Sequence, residues 1–443
     1  MTNLFFIFWA CLIFYVPLNL LVFESNLWLD LPLIFFFFIY LQLFLMDHSP
    51  PRQKLNNLDK AVLFYIAYGI VHVCVLMLLH QEMDRMLIIK MFRQVYLPFL
   101  LFFVARYIFS NGKNYSKLLY VVYFTSAIFI VDILYEEYIV NILTMSQKAI
   151  PWIDEKMYHD GRMYLSEGGH SKTAFLRVPT LYSNPHGQAL LMGALIAFLL
   201  PSYFQIRKTH GKKIKNKMLA LLIMGLLVAL VLVGVKMSLI LLAFLVVPII
   251  VRKRLFKVRS LLILLLGIFG ATYLFFPGFP EYVSIFFHKF APGGRGYSIF
   301  QTESRWINDE NPLYFLLVLL FGYIDLSGEI NAIGGLGEVR GITFGFRFGW
   351  IWWGFLFLVI YSIAFFYCNR LIFKLSVAEQ ERKIAMGILL FILMFLGDTL
   401  HYSIMFMVVN IHWFALMMGT LSGIYAYVNF MKQTNFDYNA KLR

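Results

Sequence analysis

The chain is a succession of long apolar segments separated by short polar stretches. A helix needs about 20 mostly apolar residues to cross the hydrocarbon core of a bilayer. On this criterion we predict about twelve spans, at 4–22, 28–46, 61–80, 95–109, 118–138, 186–204, 218–234, 237–251, 260–276, 345–367, 385–404 and 411–430. The sequence therefore predicts an all-α fold, a polytopic membrane helix bundle in which residues 1–443 form a single integral membrane domain.

Composition supports a membrane protein over a soluble one. Apolar residues make up 60% of the chain and charged residues 14%, whereas soluble domains carry about 25% charged residues. The net charge of +14 does not indicate nucleic acid as a partner, because the basic residues lie in short loops between apolar segments. That distribution is typical of membrane topology.

The three cysteines and the first apolar segment carry no special chemistry. Cys11, Cys74 and Cys368 lie in or beside apolar segments, at spacings that suit neither a disulfide framework nor a metal site. The segment 4–22 lacks a basic region before it and a small-residue cleavage site after it. We therefore expect a retained first helix and not a removed signal peptide.

Loop charge predicts the orientation of the bundle. Lys and Arg concentrate in RKTHGKKIKNK (207–217) and RKRLFKVR (252–259), which the positive-inside rule assigns to the cytoplasm. With about twelve spans, both termini are then cytoplasmic. Lys and Arg are sparser in the loops predicted to lie outside, although these loops are longer in total.

Two of the outside loops are large, at 141–185 and 277–344. The second contains PLYFLLVLLFGYI (312–324), which is too short to span. It is predicted to be a helix that lies at the outer interface or re-enters the bundle. Loops of this size argue against a transporter or flippase, whose polar residues are expected at mid-membrane. No inverted repeat of the kind found in many transporters is visible either.

A set of arginines is predicted on the outer side, where topology does not account for them. Its members are Arg162, Arg177, Arg295, Arg305 and Arg340, with Arg347 just inside the tenth span. A cation beside apolar sequence needs an anionic partner. That partner is either an acid of the chain (Asp132, Glu136, Glu137, Glu303 or Asp398) or the diphosphate of a lipid-linked substrate, which the guanidinium fork suits.

The stretch RVPTLYSNPHGQALLMG (177–193) resembles a motif of the O-antigen polymerase and O-antigen ligase superfamily. In that superfamily an arginine in a periplasmic loop precedes an NPN-like turn and a glycine that opens the next helix. The matching residues here are Arg177, Asn184, Pro185, His186 and Gly187. His186 stands where the superfamily often has asparagine.

Three later stretches resemble the same superfamily in the same order. GVKMSLILL (234–242) is similar to its SRG-like turn, with Lys236 in place of arginine. ESRWINDENPLYFLLVLLFGYI (303–324) and RGITFGFRFGWIWWGFLFLVI (340–360) are similar to its loop helix and to its second signature. The superfamily's ligases carry a histidine before the last glycines. Residues 340–343 of this chain have none, which favours the polymerases.

The resemblance implies a glycosyltransferase C-like fold in a bacterial inner membrane and a reaction on the periplasmic face. No outer-loop D-x-D, Walker motif or Cys/His cluster is present in the sequence, so we expect a metal-independent reaction without a cofactor. One glycan on undecaprenyl diphosphate is the donor, and a hydroxyl of a second lipid-linked repeat unit is the acceptor. Cations placed at the departing diphosphate stabilise the charge that develops there. Arg177 and Arg340 are the first candidates for this role. Further substrate-binding candidates are Arg305, Lys236, Arg347, Asn184, Glu303 and Arg295.

The acceptor hydroxyl also needs a base in this reaction. His186 and His401 are candidates, and Asp398 and Glu303 are carboxylate alternatives. Asp398 and His401 lie three residues apart on one face of the eleventh predicted helix. Membrane lipids are expected partners, and a protein that regulates chain length is compatible with the resemblance. A ligase that moves glycan to the lipid A core remains the alternative enzyme.

Overall fold

The computed structural model describes residues 2–18, 27–46, 54–79, 85–112, 114–137, 181, 185–206, 213–233, 235, 238–245, 354–375, 377–399 and 408–441. Within these ranges the protein is entirely helical and has no β-strand. Because each helix satisfies its own backbone hydrogen bonds, this is the expected solution for a chain in lipid. The predicted all-α class is confirmed for the described residues.

The main helices are, in chain order, α1 Thr2–Cys11, α2 Tyr15–Leu18, α3 Leu27–Met46, α4 Asn57–Leu79, α5 Arg85–Val95, α6 Leu100–Phe109, α7 Tyr115–Glu137, α8 Pro185–Ile206, α9 Lys213–Val233, α10 Phe355–Asn369, α11 Glu379–Thr399 and α12 Val408–Lys441. Two 3₁₀ turns, Leu12–Phe14 and Leu97–Phe99, lead into α2 and α6, and a π-helical turn, Arg370–Lys374, extends α10.

Six helices of the described part are long and apolar enough to cross a membrane. They are Asn57–Leu78, Phe92–Phe109, Tyr115–Glu136, His186–Tyr203, Phe355–Phe373 and Val409–Thr434. Three shorter apolar helices, Thr2–Phe14, Leu29–Leu43 and Lys217–Val233, accompany them. The protein is thus a helical membrane protein. The predicted span 260–276 lies outside the described residues, as do residues 237 and 246–251 of the predicted span 237–251.

Two segments that the sequence analysis treated as connections are helical. Residues 81–94, predicted as a loop, contain most of α5, and the tail after 430 continues as helix to Lys441. α5 combines apolar residues with Arg85, Lys90 and Arg93 and contains no acidic residue. The mean hydropathy of such a segment is too low for a predicted span. The segment is still helical, because apolar residues that recur on one face are enough to pack an amphipathic helix.

Contacts between α4, α6 and α12 define the direction of the helices. Asp59 of α4 meets Arg106 of α6, while Tyr65 packs on Phe99 with ring centroids 4.8 Å apart. Residue numbers rise along one helix as they fall along the other, so α4 and α6 are antiparallel. α6 and α12 are parallel, because Phe102 meets Gly419 and Arg106 meets Gly423.

A glycine pair allows α6 and α12 to approach closely. Gly419 and Gly423 form a G-x-x-x-G pattern on one face of α12, and the backbone of α6 occupies the space that their side chains would need. A Cβ atom at Gly423 would lie 2.5 Å from the carbonyl oxygen of Arg106. Small residues at this spacing are a common device for close helix packing in membranes.

One end of the bundle, which we call the Asp59 end, contains a buried polar network. Asn56 caps α4, because its side-chain Oδ1 accepts hydrogen bonds from the backbone amides of Leu58 and Asp59. In return, the backbone amide of Asn56 donates to Asp59 Oδ2 over 2.8 Å. This reciprocal arrangement is a capping box. Asp59 also accepts hydrogen bonds from Arg106 and Ser422, so one carboxylate connects α4, α6 and α12.

Candidate functional site

The opposite end of the bundle contains a second group of buried polar side chains, which we call the Asp132 cluster. It comprises Asp132 and Glu136 of α7, Gln188 of α8 and Asn410 of α12, all buried. Burying polar groups in an otherwise apolar bundle is costly, and ionisable residues in membrane helices are generally functional. The cluster is therefore our candidate site among the described residues.

The apolar register of α7 accounts for the position of its two acids. Asp132 and Glu136 are one helical turn apart and share a face. That face is buried, since Asp132 is 6% exposed and Glu136 is 0% exposed, whereas Val131 and Leu134 point outward. Both acids therefore face the interior of the bundle.

Asp132 connects α7 to the segment that leads into α8. Its Oδ2 accepts hydrogen bonds from the backbone amide of Leu181, over 3.5 Å, and from Nε2 of Gln188, over 3.3 Å. Leu181 precedes and Gln188 follows Pro185–Gly187, the turn with which α8 begins. The carboxylate thereby fixes both flanks of this turn against α7.

Asn410 fixes the same turn from the other side. Its Nδ2 donates to the carbonyl oxygen of Gly187 over 3.1 Å. This carbonyl lies in the first turn of α8, and Asn410 lies in the first turn of α12. The start of α8 is therefore held between α7 and α12 by side-chain hydrogen bonds, in addition to apolar packing.

Two of the predicted site residues lie within described helices. His186 is the second residue of α8 and is half-buried, directly between Pro185 and Gly187. Asp398 is the next-to-last residue of α11. His186 thus lies beside the Asp132 cluster in sequence and in the fold.

The other predicted candidates lie outside the described residues. They are Arg177, Asn184, Lys236, Arg295, Glu303, Arg305, Arg340, Arg347 and His401. Their roles stay predictions. In the part of the chain that the structure describes, no lysine or arginine forms an ion pair with Asp132; its partners there are the donors on Leu181 and Gln188.

Two members of the cluster were missed by the sequence analysis. Gln188 and Asn410 are polar residues at the start of long apolar segments, which was a detectable signal. Neither was predicted as a site residue, because one amide side chain hardly lowers the mean hydropathy of a long apolar segment. The partner of Asn410 is 223 residues away along the chain, so the contact itself had no local signature.

Within the described ranges, no group of three or more His, Cys, Asp or Glu side chains is placed to hold a metal ion. Comparison with known proteins adds no relative: no family model, curated protein or solved structure matches the chain.

Proposed function

We propose that the protein polymerises oligosaccharide repeat units carried on undecaprenyl diphosphate into O-antigen or a related surface polysaccharide. The donor and acceptor are both lipid-linked, and the reaction takes place on the periplasmic face of the bacterial inner membrane. The proposal includes about twelve spans, both termini in the cytoplasm and two large periplasmic loops, at 141–185 and 277–344.

The observation that carries this proposal is the attachment of one motif segment to the bundle. Asp132 accepts hydrogen bonds from Leu181 and Gln188, on both sides of Pro185–Gly187, and Asn410 donates to the carbonyl oxygen of Gly187. This turn belongs to the stretch 177–193, which resembles the superfamily's arginine-containing loop motif. A loop that positions an arginine at a departing diphosphate must be anchored to the helices, since catalytic groups act through preorganised geometry.

Chemistry at such a site follows from the types of residue in the motif. Cleavage of the bond between the anomeric carbon and the phosphate oxygen leaves negative charge on the diphosphate. Arg177 and Arg340 are proposed to bind that charge in bidentate fashion. Arg305, Lys236 and Arg347 are proposed to bind the remainder of the substrate.

Deletion of the gene tests the function directly. We expect surface polysaccharide that carries a single repeat unit and no ladder of longer chains on a gel. Loss of all attached glycan, with polymer accumulating on the lipid carrier, would instead identify a ligase. Loss of all attached glycan without polymer on the carrier would indicate a flippase, and an unchanged ladder would refute all three assignments.

A further inference from the structure

Asp132 carries its two carboxylate oxygens in different environments. Oδ2 accepts two hydrogen bonds, from Leu181 and Gln188. Oδ1 is buried and has no hydrogen-bond partner among the described residues. Two donors on one oxygen fix the rotation of the carboxylate, so the second oxygen is held in one orientation.

Gln188 repeats this pattern beside it. Its Nε2 is committed to Asp132, while its Oε1 is buried and likewise has no partner in the described part of the chain. Both side chains are more than nine-tenths buried. Two acceptor oxygens thus lie on one hydrogen-bonded pair of side chains without a donor among the described residues. Buried acceptors nearly always have a hydrogen-bond partner, and a substrate hydroxyl is one group that can supply it.

We propose that Asp132 is the base of the glycosyl transfer and that Oδ1 accepts the proton of the attacking sugar hydroxyl. This assignment rests on the proposed function. The hydroxyl oxygen forms a bond to the anomeric carbon of the donor, the bond from that carbon to the phosphate oxygen breaks, and its electron pair leaves with the diphosphate. The proton passes to Oδ1 of Asp132.

The assignment gives Gln188 a positioning role. Its hydrogen bond holds Oδ2 and so orients Oδ1, and it attaches the base to the helix that begins at the Pro185–Gly187 turn. The base and the motif turn are then parts of one hydrogen-bonded unit. This placement differs from the sequence-based candidates His186, His401, Asp398 and Glu303.

The variant Asp132→Asn distinguishes a catalytic base from a residue that only holds helices together by hydrogen bonds. Asparagine retains one acceptor oxygen, which can receive both the Leu181 amide and Gln188, but it cannot take up a proton from a hydroxyl. We expect the rate at saturating substrate to fall by about 10² to 10⁴-fold, the range for loss of a general base, with KM for the donor changed by less than about threefold.

The assay uses the full-length protein in lipid nanodiscs and lipid-linked repeat units extracted from the deletion strain. Elongation is followed on gels as initial rates against donor concentration. Ser126→Ala is the matched control, because Ser126 is a buried polar residue of the same helix, outside the Asp132 cluster. We expect it to keep the rate of the unaltered protein.

A second pair of variants serves if Asp132→Asn does not fold. Asp132→Glu and Asp132→Gln have the same size, and only the first retains a carboxylate. We expect the Glu variant to exceed the Gln variant at saturating substrate by at least about tenfold. Equal rates for the unaltered protein and Asp132→Asn would overturn the assignment, and so would equal rates for Asp132→Glu and Asp132→Gln.

Failure of the base assignment is distinguishable from failure of the proposed function. If the unaltered protein elongates lipid-linked units and Asp132→Asn does so equally well, only the assignment is lost. If the unaltered protein transfers no sugar under these conditions and its deletion leaves the polysaccharide ladder intact, the function and the assignment are both refuted.

Discussion

Arg106 and Asp59 form a fully buried ion pair between α6 and α4. Arg106 Nε lies 2.6 Å from Asp59 Oδ2, and both side chains are 0% exposed. The same carboxylate accepts a hydrogen bond from the hydroxyl of Ser422. Arg106 Nη2 donates to the carbonyl oxygen of Lys54 over 2.7 Å. Arg106 lies within the predicted span 95–109, and its partner Asp59 is 47 residues away along the chain.

Breaking this pair should strongly destabilise the bundle. Arg106→Met or Asp59→Asn removes one partner and leaves the other buried, which costs about 3–5 kcal/mol. We expect a clear fall in the unfolding temperature of the detergent-solubilised protein. Arg93→Met is the matched control, because the Arg93–Asp30 pair is partly exposed and such pairs contribute at most about 1 kcal/mol.

A double variant provides the decisive comparison for the pair. Replacing Asp59 by Asn and Arg106 by Met together removes both charges, so the loss should be smaller than the sum of the single losses. Additive losses would show that the two residues stabilise the protein independently.

Gly419→Ala should disrupt the packing of α12 on α6. A Cβ atom there would meet the backbone of Phe102, which cannot move aside as a side chain can. Overpacking of this kind costs about 1–3 kcal/mol. Gly225→Ala is the control, because its Cβ would meet the end of the flexible Ile130 side chain. Similar unfolding temperatures for the two variants would argue against close backbone contact.

Asn410→Leu should release the start of α8. The variant removes a buried side-chain hydrogen bond to the Gly187 carbonyl oxygen, at a net cost of about 0.5–1.5 kcal/mol. We expect lower thermal stability together with shorter polysaccharide chains. Thr420→Val serves as control, since the Thr420 hydroxyl bonds only to Leu416 of its own helix among the described residues. Full-length chains from Asn410→Leu would separate this contact from function.

Arg177→Ala should abolish chain extension while the protein remains inserted and abundant. Loss of one cation at a developing negative charge typically lowers the rate by about 10² to 10³-fold. The polysaccharide ladder and the membrane content of the protein are measured together. Lys208→Ala, in a loop predicted to be cytoplasmic, is the control. A normal ladder from the Arg177 variant would remove this residue from the site.

Membrane orientation can be measured with single cysteines. In a chain whose Cys11, Cys74 and Cys368 are replaced, a cysteine at Tyr158 should react with an impermeant maleimide from outside intact spheroplasts. A cysteine at Lys208 or Arg443 should react only after permeabilisation, because the positive-inside rule places both in the cytoplasm. The reverse pattern would invert the proposed topology.

The helices of the bundle were predictable because apolar length is a strong signal. The predicted spans 118–138 and 186–204 correspond to α7 and α8. Ends were less predictable, as α4 shows: it begins at Asn57, four residues before the apolar segment. The capping box of Asn56 and Asp59 satisfies the first amides, so the helix extends into polar sequence.

Some residues of the candidate site were predictable from the sequence, but their contacts were not. The turn at Pro185–Gly187 has a recognisable composition, and Asp132 was identified as an acid that could meet a partner. The contacts of Asp132 with Gln188 and of Asn410 with Gly187 join three helices that are distant in sequence. Pairings of this kind depend on how the helices are arranged in space, and a single sequence carries no local record of that.

The Gly419–Gly423 contact has a consequence for biogenesis. α6 can acquire its partner only when residue 419 has left the ribosome, more than 300 residues after Phe102. At about 5–20 residues per second, this interval lasts roughly 15 to 60 s. During that time the α6 surface that will receive the glycines faces lipid or a chaperone, so a nascent chain released early would reach membrane quality control with this surface uncovered.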